Sequence, residues 1–346
     1  MKDVKYLLAY TIPLSCWAAL SLQGVWSFTT VVYAFGLIPL LELLFSSQES
    51  SYSEQQKESR LANKIFDALL YLNIPLVFIT LYKGWQVLLL TPLETYERVG
   101  LVLSVGIVLG TNGINVAHEL GHRTTKIEQM MAKLLLMPSL YMHFFIEHNL
   151  GHHTYVGTPQ DPATAKKNQS VYGFWWSSII GQMVSAYRIQ KHLLEVKKAS
   201  FFSISNELLV FVFVQGAYLT GVYLVLGMGG LFYAVGFALV SVLLLETINY
   251  IEHYGLVRER KGERYERVTP AHSWNSNHVI GRMVLYELTR HSDHHHRASK
   301  KYQVLESIEE SPQLPFGYTT SMVLSLLPPV WFSLMNRRLP EQSISS

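Results

Sequence analysis

The stretch VGLVLSVGIVLGTNGINVAHELGH, residues 99–122, decides how the chain is read. Positions 99–116 carry no ionisable side chain and are long enough, as helix, to cross a hydrocarbon core of about 30 Å. Directly after them come His118 and His122, four apart, so their rings share one face if the helix continues past the bilayer. An apolar span that runs straight into paired imidazoles predicts a membrane helix with metal-binding chemistry at its end.

Five more blocks resemble the first: 6–22, 25–45, 66–90, 208–226 and 231–251. The composition agrees, with 49% hydrophobic and only 15% charged residues in 346, against about 25% charged in an ordinary soluble chain. Glu42 and Lys83 lie near span ends and are expected to reach the headgroups. Otherwise the spans read as almost free of ionisable groups near the midplane. A signal peptide at the N-terminus is disfavoured, since the apolar run is long and no clear small-residue cleavage site follows it.

Lysine and arginine placement orients the spans. With six of them, 26 of the 28 basic residues fall on one side, leaving Lys83 and Arg98 opposite, so both termini are predicted to be cytoplasmic. Residues 317–335 are also apolar, but Pro328 and Pro329 interrupt them, and a further span would export Arg337 and Arg338. This segment is read as interfacial or re-entrant. The expectation is a single all-α integral-membrane domain, 1–346, with six transmembrane helices and cytoplasmic regions at 117–206 and 252–346. The single cysteine, Cys16, excludes a disulfide within the chain and any Cys-rich metal site. No compact basic patch with interleaved aromatics supports a nucleic-acid partner.

The histidines crowd the cytoplasmic regions and the span ends that feed them; only His192 stands apart. His148 and His152 repeat the four-residue spacing, with His153 adjacent. His291, His294 and His295 follow at i, i+3 and i+4, and His253 ends the last span. Packed without metal, so many imidazoles would leave ring nitrogens unsatisfied if neutral and repel one another if protonated. Eight or nine ligands exceed what one metal holds, so two metals are implied, and the lack of thiolates disfavours a soft ion. Glu119, Glu147, Glu252 and Asp293 sit beside these histidines, where carboxylates fix ring tautomer and orientation. His118-Glu-Leu-Gly-His122 also matches the zinc-protease pattern, but a zinc protease needs one further ligand rather than six or seven. A divalent-metal transporter with a regulatory histidine loop is the non-enzyme alternative. Transporters place ligands at the midplane on broken helices, whereas these histidines lie at the membrane edge.

His118-Glu-Leu-Gly-His122-Arg, Glu147-His148-Asn-Leu-Gly-His152-His153 running on to Asp161-Pro-Ala, Asn249-Tyr-Ile-Glu-His253-Tyr-Gly-Leu, and Leu288-Thr-Arg-His291-Ser-Asp-His294-His295 closely resemble the integral-membrane alkane hydroxylases. The likeness runs from the second span to the Pro328-Pro329-Val-Trp segment. It implies a non-haem di-iron centre held by His118, His122, His148, His152, His153, His253, His291, His294 and His295. Glu119, Glu147, Asp161, Asn249, Glu252 and Asp293 are then expected to support those rings. His143, His272, His278 and His296 match no ligand, and Glu42 stands where the family leads one to expect Asp. The resemblance implies hydroxylation of the terminal carbon of linear alkanes with O2 as co-substrate, in the inner membrane. A fused rubredoxin would need four cysteines, so electrons are expected from separate rubredoxin and its NADH-dependent reductase. Sister reactions on methyl-aromatics or fatty acyl chains stay open, as do the preferred alkane length and the division of the nine ligands.

Overall fold

The computed structural model describes residues 2–45 and 51–340. A 3-10 helix, Lys2–Tyr10, leads into α1 (Thr11–Leu22). The next helices are α2 (Gly24–Leu44), α3 (Glu54–Ala62), α4 (Ile65–Leu90) and α5 (Thr95–Gly121). After α5 come α6 (Lys126–Leu136), α7 (the helical stretch 144–155), α8 (Val171–Lys197) and α9 (Glu207–His253). Short helices α10 (Val279–Val284), α11 (His291–His296), α12 (Tyr318–Ser325) and α13 (Pro328–Met335) complete the chain. The one small sheet among the described residues is the hairpin Arg260–Lys261 with Arg264–Tyr265.

Side-chain caps start these helices where the sequence supplies them. Thr125, Ser170 and Asn206 accept from the backbone N–H three residues on, opening α6, α8 and α9. At the head of α5, Glu97 accepts from the N–H of Glu94 at 2.7 Å and of Gly24 at 2.5 Å, so one carboxylate caps its own helix and pins the start of α2.

Among the described residues four helices, α2, α4, α5 and α9, are long and apolar enough to cross a membrane, where six spans were expected. The first expected span is divided between the 3-10 helix and the twelve residues of α1. The fifth and sixth are merged in the 47 residues of α9, interrupted at Gly227, whose φ of 68° and ψ of −166° are not helical. That positive φ suits glycine alone. Its effect is visible at the neighbouring residues Tyr141 and Met142. Met142 N–H donates to Gln215 of the first half, and the Tyr141 hydroxyl to Glu246 of the second. The halves therefore fold back on each other at Gly227.

Lipid tails are as apolar as leucine, so helices in a bilayer associate through close packing. Gly106 of α5 shows this: a Cβ there would lie 2.4 Å from Val240 of α9, and one at Gly110 would lie 3.2 Å from Leu244. The two helices cross with almost no space between them, which brings the ends carrying His118 and His253 together. Glu42 does not reach for headgroups as expected. It is buried and accepts from the N–H of Gly281, tying α2 to α10.

Candidate metal centre

Nine histidine rings converge at the C-terminal ends of α5 and α9, and they fall into two groups. His118, His122, His148, His153 and His294 form one; His152, His253, His291 and His295 form the other, with the ligand atoms of each group within 4.8 Å of one another. On α5 the pair four apart, His118 and His122, serves one group, as the helical period dictates. In α7, residues His148–His152 are wound as π-helix, whose longer turn aligns residues five apart. His148 and His153 therefore meet at 3.1 Å, while His152 is turned into the other group. α11 divides as well: His291 and His295 join one group, and His294 the other.

Every ring turns Nε2 inward. The nitrogens of His118 and His294 lie 3.0 Å apart, those of His122 and His148 3.1 Å, and those of His153 and His294 3.1 Å. In the second group, His152 and His295 are 3.2 Å apart, His253 and His291 3.1 Å, and His291 and His295 2.9 Å. A neutral imidazole has one N–H to offer, so five or four rings aimed at a single point cannot all be satisfied by each other. Protonation is no remedy. Burial, and then the neighbouring rings, hold His122, His148, His153, His291, His294 and His295 well below the usual imidazole range. Neutral rings with convergent lone pairs at this spacing fit a cation bound about 2.1 Å from each nitrogen. The residues present thus fit a metal ion in each group, with nitrogen donors suited to first-row transition metals.

The polar residues expected behind the rings take different places. The Nδ1–H of His152 donates to Asp161 Oδ2 at 2.9 Å, and that carboxylate is held by the Thr164 hydroxyl at 2.6 Å and the Ala163 N–H at 3.0 Å. Burial pulls His152 down, but Asp161 outweighs it and raises the ring, while His152 in turn keeps Asp161 below the carboxylate range. Glu252 Oε2 reaches the inward nitrogen of His291 at 3.2 Å, and its Oε1 accepts from the Tyr318 hydroxyl. The other four do not touch a ligand ring by hydrogen bond. Glu119 pairs with Arg123 and accepts from Tyr302 N–H. Asp293 takes Lys300 and the N–H of Glu306. Asn249 donates to Glu246, and Glu147 accepts from Ser185 beneath Gly151. His143 meets Tyr141 edge to face, His272 bonds Glu266, His278 bonds Ser276, and His296 is exposed.

A narrow apolar cavity of about 60 Å³ starts at this centre. His118 and His148 of the first group, His291 of the second, and Glu252 line its inner end. Leu244, Leu245 and Ile248 form its wall, and Ile12, Ala34, Phe35 and Ile107 line it deeper in the bundle. Two π-helical segments face it, Tyr33–Leu37 and Leu109–Ile114.

Two polar clusters escaped the reading of the sequence. Glu246, wholly buried in α9, accepts from Tyr141, Ser178 and Gln182. A lone carboxylate inside an apolar span was itself the signal for it. Glu287 accepts from Tyr6 at 2.7 Å and from Arg282 at 2.7 Å, and pairs with Lys5 at 3.3 Å. No local pattern connects residues about 280 positions apart, so nothing in the sequence announced that cluster.

The fatty acid desaturase family matches residues 98–323. Alkane 1-monooxygenase 1 of Pseudomonas aeruginosa is 39% identical over 341 residues, covering 96% of this chain and 88% of its own length. Alkane 1-monooxygenase 2 of Alcanivorax borkumensis is 37% identical over 319 residues, 92% of this chain and 84% of its own. The hydroxylase component of a xylene/toluene monooxygenase from Pseudomonas putida is 31% identical over 277 residues, 78% and 72%. With two convergent histidine groups at the membrane-proximal ends of apolar helices, the chain belongs to the alkane 1-monooxygenases of the fatty acid desaturase family.

Proposed function

We propose that this protein hydroxylates the terminal carbon of linear alkanes, taking O2 and two electrons per turnover and releasing a 1-alkanol and water. The observation that carries the reading is the apolar cavity whose inner end is lined by His118 and His148 of one histidine group and His291 of the other. A hydrocarbon has no polar handle, so shape and exclusion of water must position it. The walls of Leu244, Leu245 and Ile248 do both, and a narrow bore presents the end of a chain rather than its middle.

Two irons are the proposed metals, one held by His118, His122, His148, His153 and His294, the other by His152, His253, His291 and His295. When bound, they supply the reductive activation of O2 that acid–base side chains cannot provide. Asp161 fixes the tautomer of His152 so that Nε2 is free to coordinate, and Glu252 is placed as an oxygen donor beside His291. The support for iron is the all-imidazole donor set and the family. The chain acts as one domain of six crossings in the inner membrane with both termini cytoplasmic. The fold-back at Gly227 and the distribution of basic residues support this arrangement. Rubredoxin, reduced by its NADH-dependent reductase, is the proposed donor.

Product analysis under 18O2 with rubredoxin, reductase and NADH tests the reaction. Labelled 1-alkanol from a linear alkane is expected. Labelled alcohol from methyl-aromatics only, the substrate class in the name of the 31% relative, would move the protein to that sister activity.

A further inference from the structure

The two histidine groups differ in their access to solvent. All four rings of one group are buried, whereas His122 and His153 of the five-ring group are only partly so. Above them the cytoplasmic surface holds three adjoining depressions. Leu150 is common to the first two and Tyr155 to the second and third, so the segment that carries His152 and His153 runs through the middle of all three. Leu150 is 47% exposed and Tyr155 39%. The rim is basic: Arg188, Lys197, Arg260 and Arg264 are exposed, and of the two glutamates in the lining, Glu207 is already paired with Lys133, leaving Glu263.

An apolar centre inside a cationic rim, directly over the least buried rings, is the arrangement by which charge steers an electron carrier onto a redox site. We propose that electrons reach the centre through the five-histidine group, from a small acidic electron-transfer protein seated on Leu150 and Tyr155 within the rim of Arg188, Lys197, Arg260 and Arg264. This rests on the monooxygenase reading, which requires an external donor. Each encounter oxidises the carrier by one electron and passes it in beside His153. Two encounters, with two protons and one O2, balance the conversion of alkane to alkanol and water. The four-histidine group, buried on every side, receives its electron from its neighbour.

The test is anaerobic stopped-flow oxidation of reduced rubredoxin by the iron-loaded, full-length protein in nanodiscs, measured against ionic strength. The wild-type second-order rate constant is expected to fall as salt rises. The double variant Lys197→Glu/Arg260→Glu, with iron content equal to wild type, is expected to be at least about tenfold slower at low salt and to lose most of the salt dependence. Should the double variant lose iron, the single reversals Arg188→Glu and Arg264→Glu serve, each expected at about threefold with the same flattening. Wild-type rate and salt dependence in iron-replete variants overturn the docking face. Alkanol formation by the wild type in the same preparation separates the two readings. Alkanol with unaffected variants leaves the reaction standing and removes the docking face; electron uptake impaired in the variants, without alkanol, does the reverse.

Discussion

Ala34→Phe tests whether the cavity measures its substrate. The Gly24 N–H donates to Glu97 and, further along both helices, the Ser104 hydroxyl donates to the carbonyl of Ser27, which a Cβ at Gly100 would touch, so α2 and α5 run side by side in the same direction. Counting seven residues on from Ser27 puts Ala34 level with 107–111 of α5. At 1.5 Å per residue that is roughly 10–16 Å from His118 along the helix. Ala34 is buried and lines the cavity with Ile12 and Ile107. A phenyl ring at this level takes the room of about three methylenes, each contributing about 0.8 kcal/mol of burial. Alkanes long enough to reach it should lose roughly 2.4 kcal/mol, or about 60-fold in kcat/KM, while shorter ones keep theirs. A single incubation with a ladder of linear alkanes, read by gas chromatography of the alkanols, gives the whole profile. An unchanged profile, or equal loss at every length, would refute the assignment of Ala34 to the far end of the substrate cavity.

Three further outcomes follow from the polar contacts. Asp161→Asn removes the charge behind His152 and should lower activity or metal affinity by about 10–100-fold, read as iron per protein after dialysis against a chelator; retention of both would show that His152 is oriented by other means. Glu246→Leu strands the donors Tyr141, Ser178 and Gln182, at about 1–3 kcal/mol each, whereas Glu246→Gln keeps an acceptor; thermal unfolding should rank wild type, Gln and Leu in that order. Glu287 lies lower than an ordinary carboxylate, at about 2, because Arg290 and Arg282 outweigh the burial that would raise it. Its stabilisation is therefore complete above the unfolded carboxylate value of about 4.5 and lost as pH falls from there toward 2. Glu287→Gln should flatten the acid limb of the Tm-versus-pH curve, and an unchanged limb would assign that loss to other groups.

What the sequence made legible was periodic or compositional. The run 99–116 announces its span by hydropathy, because that signal is a local sum. The four-residue spacing of His118 and His122 gave their shared group, since α-helix continues through them. The same rule misleads at His148 and His152, where the backbone is π-helical and the partner is His153 instead. No spacing rule anticipates that change of winding. Gly227 was placed between two expected spans, yet only its backbone angles and the contacts at Tyr141 and Met142 show the fold-back. Glu42 read as a charge reaching for the headgroups and Glu246 drew no reading at all, because their partners lie on other helices.

The bonds of Lys5 and Tyr6 to Glu287 also set a timetable for biosynthesis. The N-terminal helix is inserted early, but the carboxylate that fixes it emerges from the ribosome about 280 residues later, just ahead of His291, His294 and His295. Until then neither histidine group has its full set of rings, since α11 contributes to both. A nascent chain interrupted before Glu287 would leave its spans in the bilayer with both sites incomplete. Metal acquisition is thereby deferred until synthesis has nearly finished, which keeps an oxidising centre from forming on a half-made protein.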